Sequence, residues 1–85
     1  MKKVIYDPYT KEAIKFFERG ETEKLKIHLF GENAKYIHME KHELKNRNDL
    51  MDFIGLADII TSTCEGLNEN EKMEIILQLE NYKIE

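Results

Sequence analysis

Residues 48–82 read NDLMDFIGLADIITSTCEGLNENEKMEIILQLENY, and this stretch decides the fold. Its apolar residues recur at spacings of three and four, which is typical of amphipathic helices. The apolar face of the first helix is expected at Leu50, Phe53, Ala57, Ile60 and Cys64. Asn48 or Asp49 is expected to cap its start, and Gly66 to end it in a left-handed conformation. The stretch therefore predicts that the chain ends in a helical pair.

The second helix of the pair follows the short link Gly66-Leu67-Asn68. Asn68 and Glu71 match the capping-box pattern, with asparagine in the place usually held by serine or threonine. The apolar side of this helix is expected along Met73, Ile76, Leu77 and Glu80. A link this short predicts that the two helices pack against each other, antiparallel or at a steep angle.

Gly55 lies inside the first helix of the pair. A glycine there costs about 1 kcal/mol of helix stability relative to alanine. Close approach of another backbone would explain this glycine, and a kink would explain it equally well.

The N-terminal part predicts a short strand followed by a helix. Val4–Tyr6 is β-branched and aromatic, which favours a strand. Asp7 followed by Pro8 predicts a helix start, with aspartate as N-cap and proline in the first turn. This helix is expected to end near Arg19, with Gly20 terminating it as the C′ residue.

Residues 24–40 predict a β-hairpin. Leu25, Ile27 and Leu29 alternate with polar residues, which is the pattern of a half-buried strand. Residues 36–40 alternate in the same way. The matching register leaves Gly31-Glu32-Asn33 as the loop, in which Asn33 is able to adopt a left-handed conformation.

These elements give the order β-α-β-β-α-α and an α+β fold. We expect a single domain over residues 1–85, in which helices cover one face of a two- or three-stranded sheet. The sequence leaves open whether Val4–Tyr6 joins the sheet.

Composition limits the function classes. The chain has 85 residues, of which 41% are hydrophobic, and a net charge of −4. The C-terminal half carries most of the negative charge, which disfavours nucleic-acid binding by the helical pair. The richness in Lys, Glu, Ile and Asn is typical of an AT-rich coding source, such as a low-GC bacterium or its phage. A single cysteine, no signal-like segment and no apolar run of membrane length predict a cytoplasmic protein without membrane association.

No motif indicates catalysis. There is no nucleophile elbow or glycine-rich phosphate loop, and nothing places a base beside Ser62 or Cys64. We therefore expect a protein that is not an enzyme and that has no catalytic residues and no cofactor. The chain contains residue types that bind zinc, but their spacing does not bring them together, so no metal site is expected. These residues are His28, His38, His42 and Cys64.

The outer face of the hairpin is the candidate partner-binding surface. It interleaves cations with aromatic residues, and its partner-binding residues are predicted to be Lys26, His28, Phe30, Tyr36 and His38. The sequence thus favours an acidic protein-interaction module, such as a bacterial or phage-borne regulator or antagonist that binds another protein. The alternative is a small nucleic-acid-binding protein that stacks bases on this face and holds phosphates with its cations. An ordinary solvated face explains the same pattern, and the C-terminal helices are a candidate homodimer surface.

Overall fold

Residues 7–81 are described by the computed structural model, and all regular secondary structure within this range is helical. The four α-helices are α1 (Pro8–Glu18), α2 (Thr22–Phe30), α3 (Arg47–Cys64) and α4 (Glu69–Asn81). Two 3₁₀ segments, Gly31–Tyr36 and Met39–Lys41, lie between α2 and α3. No strand forms among residues 7–81, so the predicted α+β class with its two- or three-stranded sheet is wrong. The Val4–Tyr6 strand prediction falls outside the described residues.

The hairpin predicted for residues 24–40 is replaced by α2 and the two 3₁₀ segments. Leu25 and Leu29 fit a strand face, but they are also four residues apart and therefore share one face of a helix. Both are buried, whereas Ile27, which completes the alternating pattern, is 58% exposed. Lysine, glutamate and leucine, which dominate this segment, are also strong helix formers. The two-residue periodicity was therefore coincidental.

Gly31 ends α2 where the hairpin loop was expected. Its φ of 57° is in the left-handed region, which glycine adopts at little cost. The chain continues as the 3₁₀ segment, in which Asn33 is buried and does not have a positive φ. Asn33 therefore does not adopt the left-handed conformation that was open to it in the predicted loop.

The helical pair α3 and α4 confirms the prediction made from the C-terminal stretch. All five residues predicted for the apolar face of α3 are buried, from Leu50 to Cys64. Gly66 has a φ of 82°, which is the left-handed conformation predicted for the residue that ends α3. The N-cap differs, because Asn46 rather than Asn48 or Asp49 accepts the helix N–H, with its Oδ1 3.0 Å from the Asp49 nitrogen.

The N-terminal helix is also confirmed. The side chain of Asp7 caps α1 by accepting from the Thr10 backbone N–H at 2.7 Å, and Pro8 occupies the first turn. Gly20 follows the helix with a φ of 71°. Local cap chemistry thus sets both ends of α1.

One hydrophobic core joins these helices. It is built from the buried residues Ala13, Ile14, Leu25, Leu29, Phe30, Ala34, Ile37, Leu50, Phe53, Ala57, Ile60, Cys64 and Ile76. Residues between the second 3₁₀ segment and α3 cross the surface, and Leu44 packs against the core from this connection. That connection, together with α3, forms the site described below.

Replacing Asn68 with alanine is expected to lower the free energy of unfolding by about 1 kcal/mol. The Asn68 Oδ1 accepts from the Glu71 backbone N–H at 2.9 Å, and Glu71 Oε1 accepts from the Asn68 N–H at 3.1 Å. The alanine variant loses the bond that the Asn68 side chain accepts, whereas its backbone N–H still donates to Glu71. Urea denaturation followed by circular dichroism measures the change. Asn70→Ala is the control, since Asn70 is exposed on the same helix, and an equal loss there would contradict the cap assignment.

Candidate functional site

The hairpin face on which the five predicted partner-binding residues were expected is absent from the described residues. Phe30 is part of the core, where its ring lies edge-on to Phe53 at 5.3 Å between centroids. Tyr36 and His38 face α4, because the Tyr36 hydroxyl donates to Glu69 and His38 bonds to Glu80. Both side chains are therefore bonded to α4 within the chain.

Lys26 and His28 belong to α2. The Lys26 ammonium lies 3.4 Å from the Glu23 carboxylate on the same helix. The His28 ring stacks on Tyr9 of α1 at 4.5 Å, and its Nε2 lies 2.9 Å from the Tyr9 carbonyl oxygen. In the structure both side chains have contacts within the chain, and their role in partner binding stays a prediction.

A groove open to solvent runs along α3. We call it the α3 groove; its volume is about 720 Å³. Residues 41–44 form one wall, and α3 contributes the rest from Asp49 to Ile59. The apolar lining consists of Leu44, Met51, Phe53, Leu56 and Ile59. Ile59 is 47% exposed, so the groove presents apolar surface to solvent.

The polar lining of the α3 groove is mainly acidic. Glu43, Asp49 and Asp52 contribute three carboxylates, against the single ammonium of Lys41. Glu43 has a surface ion pair with Lys45 at 3.3 Å, and Asp49 accepts the Lys45 backbone N–H at 2.9 Å. Among residues 7–81, no side chain forms an ion pair with Asp52. The groove therefore combines an apolar floor with a negative rim.

Gly55 lies on the floor of this groove. Helix α3 is continuous through it, and its φ is not positive. A Cβ at this position would meet no atom within 4 Å, so packing inside the described chain does not require glycine. Close approach of another part of the described chain, which the sequence offered as one explanation for Gly55, is therefore ruled out.

The wall of the groove is anchored by Glu80 of α4. The Glu80 side chain is fully buried; its Oε1 lies 2.7 Å from His38 Nδ1, and its Oε2 lies 2.9 Å from His42 Nε2. Oε2 also accepts the His38 backbone N–H at 2.8 Å. We call Glu80, His38 and His42 the Glu80 clamp. Because an ionised carboxylate can only accept hydrogen bonds, His38 Nδ1 and His42 Nε2 both act as donors. Each of these two nitrogens therefore carries a proton.

The Glu80 clamp stabilises the charged form of a buried carboxyl. Burial alone would raise the pKa of Glu80, since desolvation disfavours the charge. The hydrogen bonds from both histidine rings and the His38 backbone outweigh burial, so the pKa lies below its usual value. The His42 ring, 11% exposed, also packs on Phe53 at 5.0 Å. The clamp thus fixes residues 38–42, and with them the groove wall, to α3 and α4.

Sequence reasoning missed both the clamp and the groove. Glu80 was placed on the apolar side of α4, and a carboxylate on a core face is a signal for a buried polar partner. His38 and His42 are four residues apart, but the strand prediction directed attention away from this spacing. The groove depends on where residues 41–44 cross α3, and no local pattern specifies that.

Comparisons with known proteins identify no relative: no family model, no curated protein and no solved structure matches this chain. Function is therefore inferred from the geometry of the α3 groove.

Metal binding and thiol chemistry receive no support from the described residues. Among residues 7–81, no group of three or more His, Cys, Asp and Glu side chains is arranged to hold a metal ion. Cys64 is buried, and burial raises the pKa of its thiol, opposed only in part by the charge of Lys72. This environment keeps the thiol protonated and poorly nucleophilic.

None of the four helices described here combines the length and apolar character needed to span a bilayer.

Proposed function

We propose that this protein is a non-enzymatic, cytoplasmic interaction module that binds another protein in the α3 groove. The observation that supports this most is the open, apolar floor of the groove beside an acidic rim. Interaction sites commonly combine a central apolar patch with a polar rim. A regulator or antagonist of another protein needs no more chemistry than such a surface.

The rigid wall strengthens the proposal. The Glu80 clamp fixes one side of the groove before any partner arrives, so little ordering is needed on binding. The groove therefore resembles a preformed site more than a flexible surface segment.

Binding to a different protein accounts for the groove better than pairing of two copies. A two-fold symmetric contact joins the same surface patch of both copies. Around the groove this would bring two acidic rims into one contact, and like charges in a desolvated contact are unfavourable. Homodimerisation through the C-terminal helices remains a separate proposal, which sedimentation at high concentration tests.

The nucleic-acid alternative loses the surface on which it was based. Its cations and aromatic residues were expected on one hairpin face, and Lys26 and Tyr36 now lie on separate elements. The acidic rim of the groove would also repel phosphates.

Replacing Ile59 with lysine is expected to weaken partner binding by about tenfold or more. The change puts a charge on the apolar floor, where Ile59 is 47% exposed, so folding should be little affected. Tagged protein captures partners from a lysate of the encoding organism, and calorimetry then measures affinity for the captured protein.

Ile27→Lys is the matched control. Ile27 is also an exposed helical isoleucine, at 58%, but it lies on α2 outside the groove. We expect this variant to bind as the wild type does. Equal binding by both variants and the wild type would mean that the groove is not the interaction surface.

A further inference from the structure

Gly55 is a helical glycine that lines the α3 groove. A glycine inside a helix costs about 1 kcal/mol relative to alanine, and nothing in the described chain requires it. Met51 and Ile59 lie four residues before and after it, so the three positions form one ridge along α3. The missing side chain leaves a notch in that ridge, on the floor of the groove. Such a notch allows a second helix to approach more closely than a larger residue would permit.

The length of the groove along α3 is comparable to that of a short helix. Asp49 and Ile59 are ten residues apart, which corresponds to about 15 Å of helix, or nearly three turns. An amphipathic helix lying in an apolar groove is a recurrent mode of peptide recognition, with anchors spaced three and four residues apart. Leu56 and Ile59 offer apolar contacts for such anchors on the side of the groove formed by α3.

The rim determines the charge of the occupant. Of the three carboxylates that line the rim, Glu43 is already paired with Lys45, whereas Asp52 has no ion pair among residues 7–81 to neutralise it. Asp52 is therefore the main charge that would attract a basic partner. Opposite charges around an apolar centre speed association and select partners. A second copy of this chain would bring its own acidic rim to the contact, and is disfavoured for that reason.

We propose that the occupant of the α3 groove is a basic amphipathic helix of the partner, which crosses α3 at Gly55. This inference rests on the proposed function, because it names the class of partner that the groove binds. Lysine or arginine residues of that helix flank its apolar stripe and face Asp52 and Glu43.

A designed peptide of about 15 residues serves as the probe, since shorter helices are barely stable in water. It carries a leucine stripe on an alanine background with lysines on both flanks, and a matched peptide has glutamates in place of the lysines. Fluorescence anisotropy measures binding of each peptide at low and moderate salt. The basic peptide is expected to bind about tenfold more tightly than the acidic one.

Gly55→Leu tests the crossing point without endangering the fold. Leucine is a better helix former than glycine, and the space around Gly55 is open, so this variant should be at least as stable as the wild type. Its bulk fills the notch, and affinity for the basic peptide is expected to fall by about tenfold. Thr61→Leu is the control: Thr61 is exposed on α3 outside the groove, and affinity should not change.

The outcomes separate this inference from the proposed function. Equal binding of both peptides, or full affinity in Gly55→Leu, overturns the basic-helix assignment, even where Ile59→Lys still abolishes capture of the partner. A dimer of this chain that Gly55→Leu disrupts also overturns it, because the occupant is then a second copy. If Ile59→Lys retains full capture, the groove itself is not the site and both conclusions are wrong.

Discussion

Replacing Phe53 with alanine is expected to lower the free energy of unfolding by about 4 kcal/mol. Phe53 is 3% exposed and packs edge-on against Phe30, while the His42 ring lies tilted against it at 5.0 Å. The alanine variant loses this apolar burial and leaves a cavity beneath the groove wall. Because a domain of this size is stable by about 5–10 kcal/mol, a large fraction of that stability would be lost. Urea denaturation at neutral pH, followed by circular dichroism, measures the change.

Phe53→Leu is the control for this prediction. Leucine keeps much of the buried apolar volume, so a loss of only about 1 kcal/mol is expected. A loss below about 1 kcal/mol in Phe53→Ala itself would show that the site collapses around the smaller side chain, or that Phe53 is not central to the core.

The helices that could be predicted are those whose ends and faces are determined locally. Capping by Asp7 and by Asn68 with Glu71 depends on residues within one turn, and the structure confirms both. The apolar face of α3 is long enough, from Leu50 to Cys64, to establish a helical period over several turns. Local rules therefore predicted α1, α3 and α4.

The segment that forms α2 was wrongly predicted to be a strand because its apolar pattern covers only a few residues. Leu25 and Leu29 are compatible with strand and helix alike, and Ile27 alone favoured the strand. The structure places Ile27 in solvent, because the core lies against the Leu25 and Leu29 face. Which pattern applies depends on packing against α1 and α3, and a nine-residue segment does not carry that information.

The candidate site was harder to predict than the fold, because it is built from distant residues. Glu80 is 42 residues from His38 in sequence, and the groove wall at residues 41–44 faces α3 only after the chain has folded. Gly55 is a feature of the groove that sequence reasoning singled out. Of its two proposed explanations, close approach within the described chain could be ruled out only when the space around Gly55 was known.

The clamp connects the stability of the fold to the shape of the site. Glu80 belongs to α4, yet the histidines that it binds lie at both ends of the Met39–Lys41 segment. We therefore expect that loosening this contact displaces the wall of the α3 groove. Variants of the clamp are expected to weaken partner binding and lower stability together, whereas Ile59→Lys affects binding alone.

Replacing Glu80 with glutamine is expected to lower the free energy of unfolding by about 3 kcal/mol at neutral pH. The ionised carboxylate accepts three hydrogen bonds, from His38 Nδ1, the His38 backbone and His42 Nε2. Glutamine has only one acceptor oxygen, and its NH₂ group donates. At least one of these three donors would therefore face another donor instead of an acceptor. Glu74→Gln, an exposed change on the same helix, should alter stability by less than about 0.5 kcal/mol.

The pH dependence of the same variant tests the mechanism. Because the folded-state pKa of Glu80 is lowered, the clamp contributes its full stability above the unfolded-state pKa of about 4.3. That contribution is lost as the pH falls through the lower, folded-state pKa, because the carboxyl then becomes protonated. The stability difference between the wild type and Glu80→Gln should therefore be largest near neutral pH and shrink steadily in acid. Urea denaturation of both proteins over this range measures it, and a difference that stays constant with pH would show that the carboxylate charge does not hold the clamp.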